Sequence, residues 1–521
     1  MAEKAISSAA LTELESASGM TLAIMGGMSR WSFWAHVALR LRIALALLLG
    51  TIPAQAASQA VLYGWLVVDW GDAPGESVVA LSLHTQEGEM VSLRLDDAQL
   101  GALPALRNRL VMVQGEWQGG AGLFAPADGG EFLATSIQPF SGGEQTFSLS
   151  AGAPLESDAT TDVLGSKPWV TLLCKFSDVA AEPKPASYFQ GMYSSSYPGL
   201  DHYWREQSYD LANIAGSASV ARWYALPQPR SYYVYNMDSD PELEFDRTRA
   251  INDCTAATNP DVYFPSFIGI NMMFNADLDG YAWGGSRYLT LDGVTRLWNV
   301  TWEPPWGYSD LHVIAHEMGH GFGLPHSAWN PAVVYDNRWD VMSDGWTDCN
   351  NSRNPTYGCL PQSTIAYHKD RLGWIGSRQV VVSPGALATI TLEQLDLPQG
   401  GNPLMVRIPI GGSPTNFYTL EARRKVGYDV KLPGQGVIIH KVDTNQSIPA
   451  LLVDADNNGN TGDAGAVWTP GEIFSDNVNG IQVRVDGSTA TGYTVSVSNQ
   501  AGAIPNPQLT KKLYLALLRT P

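Results

Sequence analysis

Ser309-Asp310-Leu311-His312-Val313-Ile314-Ala315-His316-Glu317-Met318-Gly319-His320-Gly321-Phe322-Gly323-Leu324-Pro325-His326 is the stretch on which the reading of this 521-residue chain turns. Its first two-thirds predict a helix, with Ser309 or Asp310 available as the N-cap. His316 and His320 are four residues apart, so on a helix both imidazoles share one face, about 5–6 Å apart at Cβ. That spacing lets each reach a single ion at about 2.0–2.1 Å, and neutral imidazole nitrogen suits zinc. Gly323 can take the left-handed conformation that ends a helix, and Pro325 forbids its resumption, so His326 is expected to fold back as a third ligand. Three protein nitrogens leave a fourth position for water, the pattern of a catalytic zinc rather than a structural one. Glu317, beside the first ligand, is placed to act as general base toward that water. The five fixed positions H-E-x-x-H-x-x-G-x-x-H arise by chance on the order of 10⁻⁵ times per chain of this composition. His312 extends the stripe by one turn and is expected to be a solvated or supporting histidine, not a ligand.

The residues His316 to His326 resemble the metzincin zinc signature. Trp339-Asp340-Val341-Met342-Ser343 is similar to the Met-turn of that clan, which implies that Met342 lies beneath the metal as an apolar floor. Asp201-His202-Tyr203-Trp204-Arg205-Glu206-Gln207-Ser208-Tyr209, Ala221-Arg222-Trp223-Tyr224-Ala225-Leu226-Pro227, His368-Lys369-Asp370-Arg371-Leu372-Gly373-Trp374 and Leu432-Pro433-Gly434-Gln435-Gly436-Val437-Ile438-Ile439-His440 resemble stretches of secreted immune-inhibitor-A-like metalloproteases. The short interval between His326 and Met342 also resembles gametolysin-type peptidases. The resemblance spans roughly Trp169 to Val497 and implies an α+β catalytic domain that hydrolyses internal peptide bonds of extended polypeptides. One departure is clear: Asp344 stands where astacin-type and serralysin-type relatives carry a tyrosine. Tyr335 is a substitute for it without a spacing argument.

Outward from this centre the pattern predicts a multidomain chain. In residues 57–142 five runs alternate apolar and polar residues: Val61 to Trp70, Val78 to His84, Met90 to Leu95, Leu110 to Trp117 and Phe132 to Ile137. Period two marks half-buried strands, here a small β-barrel or sandwich. Propeptide, substrate-binding module and structural appendage all stay open for it. No cysteine lies between Ala57 and Ser166, so a propeptide thiolate on the metal is excluded. Residues 143–165, rich in Ser, Gly, Asp and Thr, predict a linker. A metzincin-like catalytic domain is expected over 166–375. Seven short runs with Gly, Pro and Asn turns predict a C-terminal β-sandwich over 376–499, followed by a tail, 500–521.

Residues 1–56 have the character of a signal peptide: Arg30, Arg40 and Arg42 precede the apolar run Ile43 to Gly50, and Ala54-Gln55-Ala56 offers a small-x-small cleavage site. The run is too short for a stable membrane span, which needs about 20 residues. A secreted, extracellular protein follows. A formal net charge of -19 disfavours a phosphate backbone, so nucleic acid is not an expected partner. The four cysteines suit two disulfides after export, and Cys349 with Cys359 closes a short loop.

Two loops alternate oxygen side chains before a glycine: Asn275 to Gly280, and Asp454, Asp456 and Asn458 continued by Asp463. For the second, calcium binding and a plain polar turn are the two readings. Tyr281 to Gly285 is placed at a sheet edge where an extended substrate adds as a strand, or in a glycine-rich turn. Against a zinc endopeptidase stand two rivals: a catalytically inert zinc-binding adhesion or recognition module, and a zinc hydrolase of a non-peptide amide. Retention of Glu317 disfavours the first.

Overall fold

Alternation near the N-terminus becomes a closed barrel. In the computed structural model, which describes residues 59–85, 88–95, 103–118, 131–140, 162–236, 242–333, 335–345, 349 and 353–505, the barrel strands are β1 (Ala60–Ala73), β2 (Glu76–Thr85), β3 (Met90–Arg94), β4 (Leu110–Trp117) and β5 (Phe132–Pro139). β1 pairs with β2 and β4, β2 with β3, and β5 with β3 and β4, which closes the ring. Every second residue points inward, so Leu66, Val68, Leu81, Leu83, Val91, Leu93, Val111, Val113 and Phe132 form the barrel core. The expected signal peptide, most of the linker and the tail beyond 505 lie outside the described residues.

The next region is built on β6 (Trp169–Lys175), β7 (Gly269–Phe274), β8 (Ala282–Leu291) and β9 (Val294–Glu303). β6, β7 and β9 run parallel, while β8 returns antiparallel to β9 as their hairpin partner. β6 and β7 are almost wholly buried, which is why they are written as continuous apolar runs rather than alternating ones. Helices α1 (Leu200–Ser208), α2 (Arg247–Thr258), α3 (Leu311–Phe322) and α4 (Ala366–Arg371) belong to this region, as do two shorter ones, Ala186–Met192 and Arg230–Tyr233. α3 packs on β8 and β9 and is buried all round, its polar stripe of His312, His316, Glu317 and His320 included. A disulfide between Cys174 and Cys254 ties β6 to α2, and a second joins Cys349 to Cys359 as the sequence predicts.

The C-terminal strands form the expected sandwich. One sheet holds 327–328, 450–452, 436–443, 416–423, 405–409 and 379–381; the other holds 386–393, 492–499, 481–488 and 473–476. Ile390, Leu392, Val483, Val495 and Val497 of the second sheet meet Val406, Ile408, Leu420 and Ile439 of the first. Three short strands escaped the sequence reading: 327–328, 450–452 and 473–476. The first matters most. Ser327 and Ala328 pair in parallel with Ala450 and Leu451, so the sandwich sheet begins immediately after His326 and is not confined to the C-terminal segment.

The linker boundary also needs correcting. Val163 is buried, donates its amide to the Leu372 carbonyl at 3.0 Å and accepts the Trp374 indole N–H at 2.7 Å. Gly165 and Ser166 pair with Ala212 and Asn213. The sheet-and-helix region therefore starts near residue 162, and the polar composition of the preceding stretch hides that start.

Candidate metal centre

α3 delivers the first two ligands in the way their spacing predicts. His316 Nε2 and His320 Nε2 lie 3.1 Å apart. The helix ends at Gly323, whose φ of 101° is the left-handed value that an L side chain resists. The reversal brings His326 Nε2 to 3.2 Å from His316 Nε2 and 3.0 Å from His320 Nε2. Asp310 is the N-cap residue, yet its side chain does not cap; its Oδ1 accepts from the amide of Cys359 at 2.8 Å instead.

The other ring nitrogens fix the tautomers. His316 Nδ1 lies 2.7 Å from the Val341 carbonyl and His320 Nδ1 lies 2.8 Å from the Leu324 carbonyl. A carbonyl only accepts, so Nδ1 carries the proton in each ring and the Nε2 lone pair faces the cluster. Burial pushes His320 down to about 3, which keeps it neutral at pH 7 against the opposing pull of the Asp72 carboxylate.

A fourth donor comes from the barrel. Asp72, near the end of β1, places Oδ2 at 3.2 Å from His320 Nε2 and 3.4 Å from His316 Nε2, and Oδ1 at 3.0 Å from His326 Nε2. Four donors at about 2.0–2.1 Å from one ion in a tetrahedron stand about 3.3 Å from one another. The three histidine nitrogens, 3.0 to 3.2 Å apart, are close to that figure, and Asp72 brings Oδ2 to two of them and Oδ1 to the third, so these four residues could hold one metal ion. Against the upward push of burial, the imidazoles of His326 and His316 hold Asp72 well below the usual carboxylate range. Asp72 thus faces the position that the sequence reading leaves for water.

Glu317 is buried beside the cluster, and neither carboxylate oxygen has a hydrogen-bond partner. Burial, with the nearby charges of Asp72 and Glu303, raises its pKa well above the ordinary value. β8 passes directly over it: a Cβ added to Gly284 would stand 2.7 Å from Glu317 Oε2. Only glycine permits that approach. Met342 lies under α3, where a Cβ on Gly319 would meet its sulfur at 2.4 Å, so Gly319 and Met342 are a matched pair.

His312 is fully buried rather than solvated, and is not part of the donor cluster. Burial first, then the charge of Lys431, depress its pKa well below the usual imidazole value. Tyr335 does reach the site: its hydroxyl bonds Asp72 and donates to the Glu76 carbonyl at 3.0 Å.

The segment from His326 to Ser343 is braced by the sandwich. Asp340 accepts from Ser327 Oγ at 2.7 Å and Thr364 Oγ1 at 2.8 Å and contacts His368 Nδ1 at 2.9 Å. Trp339 Nε1 donates to the Thr461 carbonyl at 3.2 Å, and Arg338 Nη1 to the Gly462 carbonyl at 2.7 Å. Thr461 and Gly462 belong to the loop with Asp454, Asp456, Asn458 and Asp463. Within it the Asn458 amide donates to Asp456 Oδ2 at 2.9 Å and to Asp463 Oδ2 at 3.4 Å, the geometry of a polar turn. The oxygens of the 275–280 loop are likewise engaged: Asn275 accepts from Phe176 N, and Asp279 from Trp283 Nε1.

The segment expected at a sheet edge is not one: β8 starts at Ala282 and lies inside the sheet, between β9 and β1. Trp70, Gly71 and Asp72 of β1 lie antiparallel to Gly284, Trp283 and Ala282. Trp70 stacks on the His320 ring at 4.6 Å with the planes 4° apart. Behind them Asp69, buried, forms ion pairs with Arg287 and, at 3.2 Å, with Arg247.

No protein-family model, curated protein or solved structure matches the chain. The functional argument rests on the site itself.

Proposed function

We propose that the chain is a secreted zinc-dependent endopeptidase of metzincin type. The observation that carries this reading is Glu317: a fully buried carboxylate without a hydrogen-bond partner, one residue from a ligand of a three-histidine cluster. An inert binding module gains nothing from such a group, since burying an unpaired carboxyl costs stability. Zinc held by His316, His320 and His326 would supply a Lewis acid able to polarise a scissile carbonyl and to activate a water. Glu317 takes the proton of the attacking water and, with its raised pKa, is suited to return it to the leaving amine. His316 and His320 are held in the correct tautomer by the Val341 and Leu324 carbonyls. With β1 displaced, Ala282 to Gly284 of β8 would offer their backbone donors and acceptors to an extended polypeptide lying close to Glu317. That geometry favours peptide over non-peptide amide substrates. Disulfides at Cys174–Cys254 and Cys349–Cys359 suit an oxidising, extracellular setting, and among the described residues no helix is long and apolar enough to cross a membrane.

The test compares casein or gelatin hydrolysis by Asp72→Ala protein, whose fourth metal position is open, with that of Glu317→Gln and His320→Ala in the same background, with zinc content measured on each. Hydrolysis lost in both variants, with zinc kept only in Glu317→Gln, supports the proposal. Hydrolysis of small amides but not of polypeptides would overturn it.

A further inference from the structure

We propose that Glu303 sets the substrate preference of the site, receiving a lysine or arginine side chain from a residue beside the scissile bond. This rests on the endopeptidase reading above and deepens it by naming the substrate class.

Glu303 ends β9, is fully buried, and neither of its carboxylate oxygens has a hydrogen-bond partner. Burying an unpaired carboxyl costs stability, and the hydrolytic chemistry of Glu317 makes no use of this one. A Cβ added to Gly307 would stand 2.8 Å from Glu303 Oε2 and 3.5 Å from Val313 Cγ1, so the carboxyl lies against the first turn of α3. Val313 and Glu317 are four residues apart on that helix and share a face. Glu303 and Glu317 therefore occupy the same layer between α3 and the sheet. Their charges register there: burial first, then Asp72 and Glu303, raise the pKa of Glu317.

Strand register links Glu303 to the metal. Asp72 of β1 is opposite Ala282 of β8. Trp283 is opposite Trp302, so the next antiparallel step sets Ala282 beside Glu303. Asp72, Ala282 and Glu303 thus form one row across three strands, and side chains in a row share a face of the sheet. At about 4.7–4.9 Å per strand, the row spans roughly 9–10 Å. Its middle position holds the smallest side chain that has a Cβ.

A polypeptide lying along β8 in the place of β1 puts one residue where Asp72 stands, beside the three histidines and with its side chain on the α3 face. Gly71, the residue before, faces the other way, toward the Trp283 ring. A short side chain in the place of Asp72 stops above Ala282. Lysine and arginine are long enough to pass it and bring a cation to Glu303. Contact with a cation favours the ionised carboxyl, against the burial and the Asp72 charge that raise Glu303 to about 8 in the intact chain. A long apolar side chain leaves the carboxyl unpaired, and an acidic one meets both Glu303 and Glu317. A buried group left without its partner is what gives such a site its discrimination.

The experiment uses the full chain with Asp72→Ala, loaded with zinc, and the same protein carrying Glu303→Gln, which keeps the side-chain volume. Arginine hydroxamate and leucine hydroxamate, which chelate the opened metal position and differ only in side chain, are titrated by calorimetry. Cleavage sites are mapped in parallel on a peptide library. Arginine hydroxamate should bind Asp72→Ala at least about 10-fold more tightly than leucine hydroxamate, and Glu303→Gln should remove that preference. Cleavage by Asp72→Ala should fall beside lysine and arginine. Equal binding of the two hydroxamates to Asp72→Ala would overturn the proposal without recourse to the second variant, as would binding of neither. A preference that survives Glu303→Gln would overturn it too. Cleavage with no basic preference would refute the role of Glu303 and leave the endopeptidase reading standing. A hydroxamate preference that depends on Glu303, without cleavage of any peptide, would support the cation subsite and refute the endopeptidase reading instead.

Discussion

Asp69→Asn is the sharpest perturbation of the contact between β1 and β8. Asp69 reaches the Arg287 guanidinium through both carboxylate oxygens and Arg247 Nε through Oδ2 at 3.2 Å, all in a buried setting. Asparagine keeps the volume but leaves two guanidinium groups without a counter-charge. Breaking a buried pair from one side costs about 3–5 kcal/mol. Part of that cost falls on the docked state only, because undocked arginines regain water. If all of it did, the docking equilibrium would shift by roughly two to three and a half orders of magnitude, at 1.4 kcal/mol per tenfold. Hydrogen–deuterium exchange reads this directly: amides of Trp70 to Asp72 and of Ala282 to Gly284 should exchange faster, while the sandwich strands keep their protection. Arg222→Gln is the control, since its pair with Asp261 is exposed and solvent screens it. Unchanged exchange at Trp70 to Asp72 in Asp69→Asn would refute the view that this ion pair holds the barrel on the site.

His316→Ala, His320→Ala and His326→Ala should each lower zinc content, measured by elemental analysis; undiminished zinc after His326→Ala would mean the third ligand is misassigned. Glu303, fully buried and without a hydrogen-bond partner, has its pKa raised to about 8, first by burial and then by the charge of Asp72. Between pH ~4.5 and 8 the folded state then holds a proton that the unfolded chain has lost, so stability should fall with rising pH by up to about 1.4 kcal/mol per unit. Glu303→Gln should flatten that slope in denaturant titrations at pH 5 and pH 8, and an unchanged slope would count against the assignment. Gly284→Val in the Asp72→Ala background should abolish proteolysis, because its side chain would press on the Glu317 carbonyl and carboxylate and on His320; full turnover by that variant would show that β8 does not pack this closely on the site.

The parts of the site that are local in sequence were legible. Helical spacing alone places His316 and His320, Gly323 and Pro325 turn the chain, and the Met342 floor follows from the resemblance. Asp72 was not legible, because it lies 248 residues from His320 and arrives through a strand pairing that no local pattern encodes. A signal did exist. Asp69 and Asp72 fall at the end of an otherwise apolar run, where a carboxylate needs a partner, and Arg287 sits in the strand facing it. The two-residue strand at Ser327–Ala328 was missed for a similar reason: two residues carry no period, and only the sandwich defines them. The barrel and the long sandwich strands were legible because period-two burial survives wherever one face meets a core.

The most direct test of the central claim places Glu317→Gln in the Asp72→Ala background, so that activity is read with the metal position open. The amide is nearly isosteric and removes only proton transfer, a contribution of about 10²–10⁴-fold, or roughly 3–5 kcal/mol of barrier. Zinc content should match that of Asp72→Ala, kcat on a peptide substrate should fall by that factor, and KM should change little. Full turnover by the zinc-loaded double variant would contradict the proposed chemistry of this site.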